Sequence, residues 1–221
     1  MGRQTLLLPV EWTPDGWFRI PDGQLPEKPF HVALSSAAGP KFELNDAFSN
    51  GSLNPQWKFF GEYNPVRFNL CDKGITIEGK GNSPANCSPL LCMPLNHNYK
   101  VQVELDITGN AVGGLVLFYN QQASSGILAD SCNILSNIRG WQFVTEAGKI
   151  NRHVSLRLKK SNQVVDMYYS LDGNNWIKTE NSLEVSGFNH NILSGFMALR
   201  IGLAAMGEGS VTFRNFVYEG D

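Results

Sequence analysis

The sequence is short of charge, of cysteine and of long apolar runs. Charged residues make up 17% of its 221 residues, and the formal net charge is −2. Binding to nucleic acid or to an anionic membrane needs basic clusters, so we expect neither partner. The one local basic cluster, Arg157, Lys159 and Lys160, is interpreted as the solvent-facing side of a strand. No apolar run approaches the roughly 20 residues of a membrane-spanning helix.

Motifs for metal, phosphate or nucleophile chemistry are also missing. Neither the histidines nor the cysteines have zinc-site spacing, and there is no Gly-x-Ser-x-Gly elbow and no phosphate loop. The cysteines are predicted to be buried or free thiols rather than disulfides: Cys71, Cys87, Cys92 and Cys132. We expect no cofactor. A structural calcium between the terminal strands remains an open expectation, although Asp46 and the terminal acids lack diagnostic spacing.

Alternation of apolar and polar residues dominates the chain from residue 41 to its end. In residues 99–107 every second residue is apolar, which predicts a strand with one face in a core. Residues 113–119 are apolar throughout and predict a central strand. Asp172-Gly173 predicts a tight hairpin turn, with Trp176 as a core anchor of the returning strand. No window has helical periodicity. We therefore predict an all-β, antiparallel β-sandwich of the jelly-roll or concanavalin A-like form.

The first 40 residues lack this alternation and are rich in proline. Leu6–Leu8 form an apolar run ended by Pro9, typical of a strand buried on both faces. Such a strand needs partners, so we expect the chain to start within or at the end of a larger fold. The alternative is an ordinary N-terminal strand that pairs with a later one. Residues 13–40 are predicted to be a connector because five prolines interrupt them. We thus divide the chain into an extended segment with a Pro-rich connector, 1–40, and a sandwich, 41–221.

Two residue groups are candidates for chemistry on sugars. Glu104 and Asp106 share one strand face, and a glycosidase needs two carboxyl groups roughly 5 to 9.5 Å apart, one of them with a raised pKa. Among polar neighbours such a pair is usually only solvated. The densest aromatic cluster contains Trp57, Phe60 and Tyr63, whose rings could stack on a pyranose. Alternation places Trp57 on the opposite face from Phe60. The competing interpretation is that these rings are core.

A second aromatic pair, Trp141 and Phe143, shares one face of a possible strand and is ambiguous in the same way.

These pieces together resemble a known family. The opening residues 2–12 with Asp15-Gly16-Trp17 look like the end of the five-bladed propeller of glycoside hydrolase family 43, which contains β-xylosidases and α-L-arabinofuranosidases. In many of these enzymes a proline-rich connector leads to a C-terminal concanavalin A-like sandwich. The landmarks of that sandwich are similar to residues 45–49, 113–120, 168–176 and 213–218 of this chain.

The resemblance implies a non-catalytic accessory domain whose partner is a catalytic β-propeller acting on xylan- or arabinan-type polysaccharide. The catalytic carboxylates of the family lie in the propeller, so residues 1–40 would be the remnant of that propeller plus the connector. In related β-xylosidases the sandwich lends the pocket rim an aromatic residue before Thr-Gly. Phe196 matches the aromatic residue, but the Thr-Gly is absent. We expect a periplasmic or extracellular location rather than a cytoplasmic one.

Two alternatives remain open. One is a self-standing carbohydrate-binding module that holds xylo- or arabino-oligosaccharide through Trp57, Phe60 and Tyr63. The other is a sandwich glycosidase that uses Glu104 and Asp106.

Overall fold

The structure is a computed structural model that describes residues 8–23, 43–61, 63–72, 74–147, 150, 152–195 and 197–220. The chain divides into two compact units, one over Arg3–Phe42 and the other including Glu43–Asp221. The strands, numbered along the chain, are β1 Glu11–Trp12, β2 Phe18–Arg19, β3 Lys58–Phe59, β4 Phe68–Cys71, β5 Gly74–Glu78, β6 Leu90–Cys92, β7 Tyr99–Ile107, β8 Asn110–Asn120, β9 Ala123–Ala129, β10 Asn133–Ile138, β11 Trp141–Glu146, β12 His153–Ser161, β13 Val164–Ser170, β14 Ile177–Glu184, β15 Arg200–Glu208 and β16 Ser210–Gly220.

The described part of the N-terminal unit is a short hairpin. Strands β1 and β2 pair antiparallel, with Trp12 opposite Phe18. The amide of Thr13 donates to the carbonyl of Trp17 at 2.8 Å, and Gly16 takes a φ of 85° in the turn, which suits a residue without a Cβ. A 3-10 turn, Pro21–Gly23, follows. Residues 11–19 therefore form a hairpin, and residues 24–40 of the predicted connector lie outside the described residues. Of the predicted strand Leu6–Leu8, only Leu8 is described, and it is not in a strand.

Two seven-stranded antiparallel sheets form the second unit. We name the sheet with the order β14-β13-β12-β7-β16-β5-β4 the front sheet, and the sheet with the order β11-β10-β9-β8-β15-β6-β3 the back sheet. The predicted antiparallel sandwich is confirmed. Some neighbouring strands are consecutive in sequence, whereas others, such as β7 and β16, are distant, so the order of each sheet depends on pairing between distant parts of the unit.

The core between the sheets comes from the period-two pattern. Strand β7 alternates fully, with Val101, Val103 and Leu105 at most 1% exposed and the residues between them on the outer face. Strand β8 is central, as predicted, and it is buried on both sides. Its residues Val116 and Phe118 lie in a second apolar cluster on the outer face of the back sheet, together with Leu128 of β9. Apolar burial of this extent is the main stabilising contribution to such a domain.

One helical turn interrupts the β-structure, contrary to the expectation of no helix. Helix α1 spans only His190–Leu193, and Asn189 caps it by accepting a hydrogen bond from the amide of Asn191. Four residues are too few to produce a helical period in the sequence. Within the described residues, no helix has the length and apolar character needed to cross a membrane.

All four cysteines are free thiols, which confirms the prediction made for them. Burial raises the pKa of Cys87 to about 11 and that of Cys92 to about 12, while the ordinary value is 9.0. In the unfolded chain both thiols ionise above pH 9, but in the folded protein they stay protonated. Their contribution to stability is therefore complete below pH 9 and is lost as the pH rises toward 11 and 12.

We expect the free energy of unfolding to be about 3 kcal/mol lower at pH 10 than at pH 8, since one pKa unit corresponds to about 1.4 kcal/mol per group and two groups contribute. Urea denaturation at both pH values measures this difference. The double variant Cys87→Ala/Cys92→Ala should lose most of the decline, whereas the exposed Cys71→Ala should keep it. An unchanged decline in the double variant would contradict the assignment to these two thiols.

Candidate functional site

Trp57, the first of the aromatic residues predicted from the sequence, is a core residue. It is 4% exposed, and its Nε1 donates to Oδ2 of Asp46 at 2.8 Å. Its ring centroid lies 5.4 Å from that of Phe48 and 5.0 Å from that of Phe216. A ring enclosed in this way has no free face on which a sugar could stack. The prediction of a ligand-binding Trp57 is therefore corrected, because the residue packs between the start of the sandwich and β16.

Phe60 and Tyr63 lie closer to the surface. As predicted, Phe60 takes the opposite face from Trp57, and its ring packs 4.7 Å from that of Phe118 on the outer side of the back sheet. Tyr63 is 54% exposed and rests on Phe59, with the ring centroids 4.4 Å apart. Tyr63 is thus the member of the cluster with an accessible ring. A role of either residue in ligand binding stays a prediction.

Phe196 lies outside the described residues, but the chain on both sides of it is held by one buried phenol. The hydroxyl of Tyr119 donates to the carbonyl of Ser194 at 2.5 Å and accepts from the amide of Met197 at 3.2 Å. Tyr119 itself is 0% exposed on the central strand β8. The back sheet therefore fixes the two ends of the short loop between α1 and β15.

The two candidate carboxylates lie on the outer face of the front sheet, as alternation predicts. Oε1 of Glu104 accepts from Nδ2 of Asn215 at 3.0 Å. Asp106 accepts from Nδ1 of His153 at 2.8 Å and from Nη1 of Arg214 at 2.5 Å. A catalytic acid needs an apolar setting that favours its protonated form. Asp106 instead contacts an imidazole and a guanidinium, so its surroundings are not apolar.

A groove on the same face holds residues that the sequence reasoning missed. The guanidinium carbon of Arg157 lies 3.5 Å from the ring centroid of Trp176, a close cation–π contact. Nε and Nη2 of Arg157 both donate to Oε1 of Gln102, at 3.0 and 2.6 Å. Trp176 is therefore not the predicted core anchor, because it folds over the outer face of the front sheet.

The turn before Trp176 is built around one carboxylate. Oδ1 of Asp172 accepts from the amides of Asn174 at 2.9 Å and Asn175 at 2.7 Å, and from the hydroxyl of Ser170 at 2.9 Å. These hydrogen bonds, first of all those from the two amides, hold the pKa of Asp172 well below its ordinary value. The turn is thus an Asx-type turn whose geometry fixes the position of Trp176.

Two cavities flank the stacked pair of Arg157 and Trp176. One, of about 250 Å³, is lined mainly by Gln102, Glu104, Ser155, Gly173, Trp176 and Asn215. The other, of about 380 Å³, is lined by Tyr99, Lys100, Arg157, Lys159, Tyr168 and Glu219. A β-bulge between Arg214 and Val217 turns the side chain of Asn215 toward Glu104. The groove therefore combines an aromatic plane with amide, hydroxyl and charged groups.

Trp141 and Phe143 lie in the edge strand β11 and are 75% and 45% exposed. In the part of the chain that the structure describes, no three His, Cys, Asp or Glu side chains are placed to hold a metal ion. Both carboxylate oxygens of Asp46 are engaged by protein donors, the amide of Phe48 and the indole of Trp57.

Solved structures share the fold of this chain. One is the glycoside hydrolase family 43 protein BlXynB of Bacillus licheniformis, at 21% identity and a TM-score of 0.75, with 100% of this chain and 47% of that chain covered. A xylan β-1,4-xylosidase of Bacillus halodurans matches at 20% identity and a TM-score of 0.72, with 95% of this chain and 46% of that chain covered. A third, GH43B of a xyloglucan locus in Bacteroides ovatus, matches at 16% identity and a TM-score of 0.76, with 100% of this chain and 48% of that chain covered. The chain thus spans about half the length of these structures.

Sequence comparisons complete the assignment. The search of the curated proteins found no match. A family model described as the beta-xylosidase C-terminal concanavalin A-like domain matches residues 45–219, nearly the whole sandwich. The concanavalin A-like fold predicted from strand number and alternation is thereby confirmed. The chain belongs to the family of C-terminal concanavalin A-like domains found in the β-xylosidases of glycoside hydrolase family 43.

Proposed function

We propose that this chain is a non-catalytic accessory domain that packs on the catalytic propeller of a family 43 glycosidase and helps to shape its active site. The single observation that carries the proposal is the family match over residues 45–219. The substrate class proposed is xylan- or arabinan-type polysaccharide. The described residues support the non-catalytic part, because the one pair of neighbouring carboxylates considered, Glu104 and Asp106, is tied to protein donors.

The N-terminal hairpin supports a docked partner domain. Trp12, Trp17 and Phe18 are 73%, 72% and 61% exposed, and Trp12 contacts Phe18 edge to face at 5.9 Å. Three large exposed rings within seven residues form an apolar patch of the kind that marks an interface. The occupant proposed is the catalytic propeller, whose last strand the preceding residues resemble.

The loop between α1 and β15 is the proposed contribution to the active-site rim. Tyr119 holds the carbonyl of Ser194 and the amide of Met197, so the described residues on the two sides of position 196 are anchored to the back sheet. A side chain on such a loop can be positioned without a large entropic cost when the partner docks. Phe196 is the residue proposed for this role.

Activity assays test the proposal. The purified chain should not hydrolyse aryl β-xylosides or aryl α-L-arabinofuranosides. A longer protein that also includes the residues encoded upstream of residue 1 should hydrolyse one of these substrates. In that longer protein, Trp12→Ser/Trp17→Ser should weaken activity, while the matched surface change Trp141→Ser should not. Turnover by the chain alone, abolished by Glu104→Gln, would overturn the proposal in favour of a sandwich glycosidase. An upstream sequence without a propeller would also overturn it.

A second candidate function, oligosaccharide binding, is favoured by the stacked pair Arg157 and Trp176. Sugar-binding sites combine an aromatic plane with fixed hydrogen-bonding groups, and the groove on the front sheet has both. Calorimetry with xylo- and arabino-oligosaccharides tests it. Loss of binding in Trp176→Ala but not in Tyr63→Ala would place the sugar in the groove, and the reverse would place it at the predicted aromatic cluster. The absence of heat with every oligosaccharide would remove this function.

A further inference from the structure

A small pocket beside α1 is lined by basic and amide side chains and by no acid. Its volume is about 160 Å³. Its polar wall consists of His97, Lys160, Gln163, Ser186, Asn189 and His190. Val185, Phe188, Met197 and Leu199 form the apolar wall. None of these described lining residues is Asp or Glu, although Oε1 of Glu184 accepts from the backbone amide of the lining residue Ser186 at 2.7 Å.

Lys160 is the one lysine among the described lining residues. Alternation in β12 turns Lys159 to the solvent and Lys160 to the opposite side, where it is only 6% exposed. The sequence interpretation of Lys160 as a solvent-facing residue is therefore wrong, although it holds for Lys159. Buried lysines are rare unless they are paired.

The partners of Lys160 leave its charge uncompensated. Nζ donates to the carbonyl of His97 at 2.9 Å and to the carbonyl of Asn162. The ring centroid of Tyr99 is 6.0 Å away. Among the described residues no carboxylate pairs with Nζ. An ammonium group has three N–H donors, so two carbonyls leave one of them available. Burial lowers the pKa of Lys160, which expresses the cost of holding this cation away from water.

The field of Lys160 reaches the neighbouring wall of the pocket. The charge of Lys160 is the largest cause that lowers the pKa of His97, the residue whose carbonyl it also binds. An anion in the pocket would relieve both effects, because it would neutralise the buried ammonium group. A single lysine with one available N–H suits a monovalent carboxylate better than a phosphate dianion, which recruits several cationic donors.

We propose that this pocket is a binding site for the carboxylate of a small ligand, with Lys160 as its anchor and Gln163, Ser186 and Asn189 as neutral polar neighbours. The volume is below the usual range for drug-sized ligands and limits the occupant to a small acid or to one sugar unit. Two sources supply this chemistry, a free organic acid and a uronic acid unit of a polysaccharide. The site is separate from the groove on the front sheet and does not depend on the proposed accessory function.

Ligand pairs that differ only in charge test the proposal. The full chain is titrated with glucuronate, glucose and acetate, and binding is followed by calorimetry and by amide chemical shifts of residues 160, 163 and 189. We expect glucuronate to bind and glucose not to bind, with weakening at high salt. Tighter binding of glucuronate than of acetate identifies a uronic acid as the ligand, and equal binding identifies a simple carboxylate. Equal binding of glucuronate and glucose, or no binding of any carboxylate, would overturn the proposal.

Two substitutions complete the test. Lys160→Met should abolish glucuronate binding, but it also removes hydrogen bonds to two carbonyls and so risks the fold. Gln163→Glu instead places a like charge at the pocket while leaving Lys160 intact, and we expect it to weaken binding by about tenfold or more. Gln122→Glu, at an exposed turn away from the pocket, is the matched control and should bind as the original chain does. Equal weakening in both glutamate variants would contradict the site.

Discussion

Replacing Arg67 by methionine is expected to lower the free energy of unfolding by about 4 kcal/mol, since three charged hydrogen bonds are lost from the interior. Arg67 is 7% exposed. Its Nε donates to the carbonyl of Glu78 at 2.8 Å, Nη1 to that of Ser88 at 2.8 Å, and Nη2 to that of Ala205 at 3.2 Å. One side chain thus joins the end of β5, the approach to β6 and the central strand β15.

The expected loss comes mainly from the carbonyl oxygens of Glu78 and Ser88, because that of Ala205 also accepts from the amide of Lys80 at 3.1 Å. A buried acceptor left without a donor costs about 1 to 3 kcal/mol, and methionine fills the space without supplying one. Burial lowers the pKa of Arg67, so part of the gain from its hydrogen bonds already offsets desolvation. A domain at the low end of the usual total stability, about 5 kcal/mol, would be close to unfolding after this change.

Urea denaturation of Arg67→Met measures this loss. Arg19→Met is the matched control, because Arg19 forms only an exposed ion pair with Glu11, at 3.3 Å. We expect less than about 1 kcal/mol for the control. Arg67→Lys keeps the charge but cannot reach three carbonyls in a planar arrangement, so its loss should be intermediate. If Arg67→Met and Arg19→Met were equally stable, the carbonyls of Glu78 and Ser88 would have other donors and the interpretation would fail.

The sequence predicts the sheets better than it predicts the groove. Period-two alternation in residues 99–107 specifies which residues of β7 enter the core, because each side chain of a regular strand has a fixed face. The same alternation puts Leu158 and Lys160 of β12 on one face of the strand, and that face is the interior one. The charge of Lys160 led to the opposite interpretation. At this position the alternation of the strand predicts the burial of the side chain better than its charge does.

Alternation along the strand could not predict on which face of the sheet Trp176 lies. The pairing of β13 with β14 shifts register between Asp166 and Tyr168, and a bulge of this kind breaks the link between sequence spacing and strand face. The contact of Trp176 with Arg157 also depends on the Asx-type turn around Asp172. Arg67 is a similar case, since its acceptors lie 11, 21 and 138 residues away and are all main-chain carbonyls, which have no sequence signature.

Trp57→Ala is expected to cost about 3 to 5 kcal/mol, the usual range for removing a buried aromatic residue. The surroundings of Trp57 include the buried side chain of Asp46, so more than apolar packing is lost when the ring is removed. The main chain of Asp46 pairs with that of Phe216 through two hydrogen bonds of 2.9 Å, and its carboxylate accepts from the amide of Phe48 at 2.7 Å. Trp57 supplies the other donor to this carboxylate. The alanine variant therefore loses packing and a hydrogen bond to a buried charge together.

Four further variants separate these contributions: Trp57→Phe, Asp46→Asn, their combination, and Trp141→Ala. Trp57→Phe keeps most of the ring and removes only the Nε1 donor, so it should cost about 1 to 3 kcal/mol. Asp46→Asn combined with Trp57→Phe should cost less than the sum of the two single changes, because the bond between them is lost only once. Trp141→Ala, in which the ring is 75% exposed, should change the stability little. If Trp57→Ala instead left the fold unchanged and abolished sugar binding, the ring would be a ligand platform after all; the enclosure of Trp57 by Phe48, Phe216 and Asp46 favours the loss of stability.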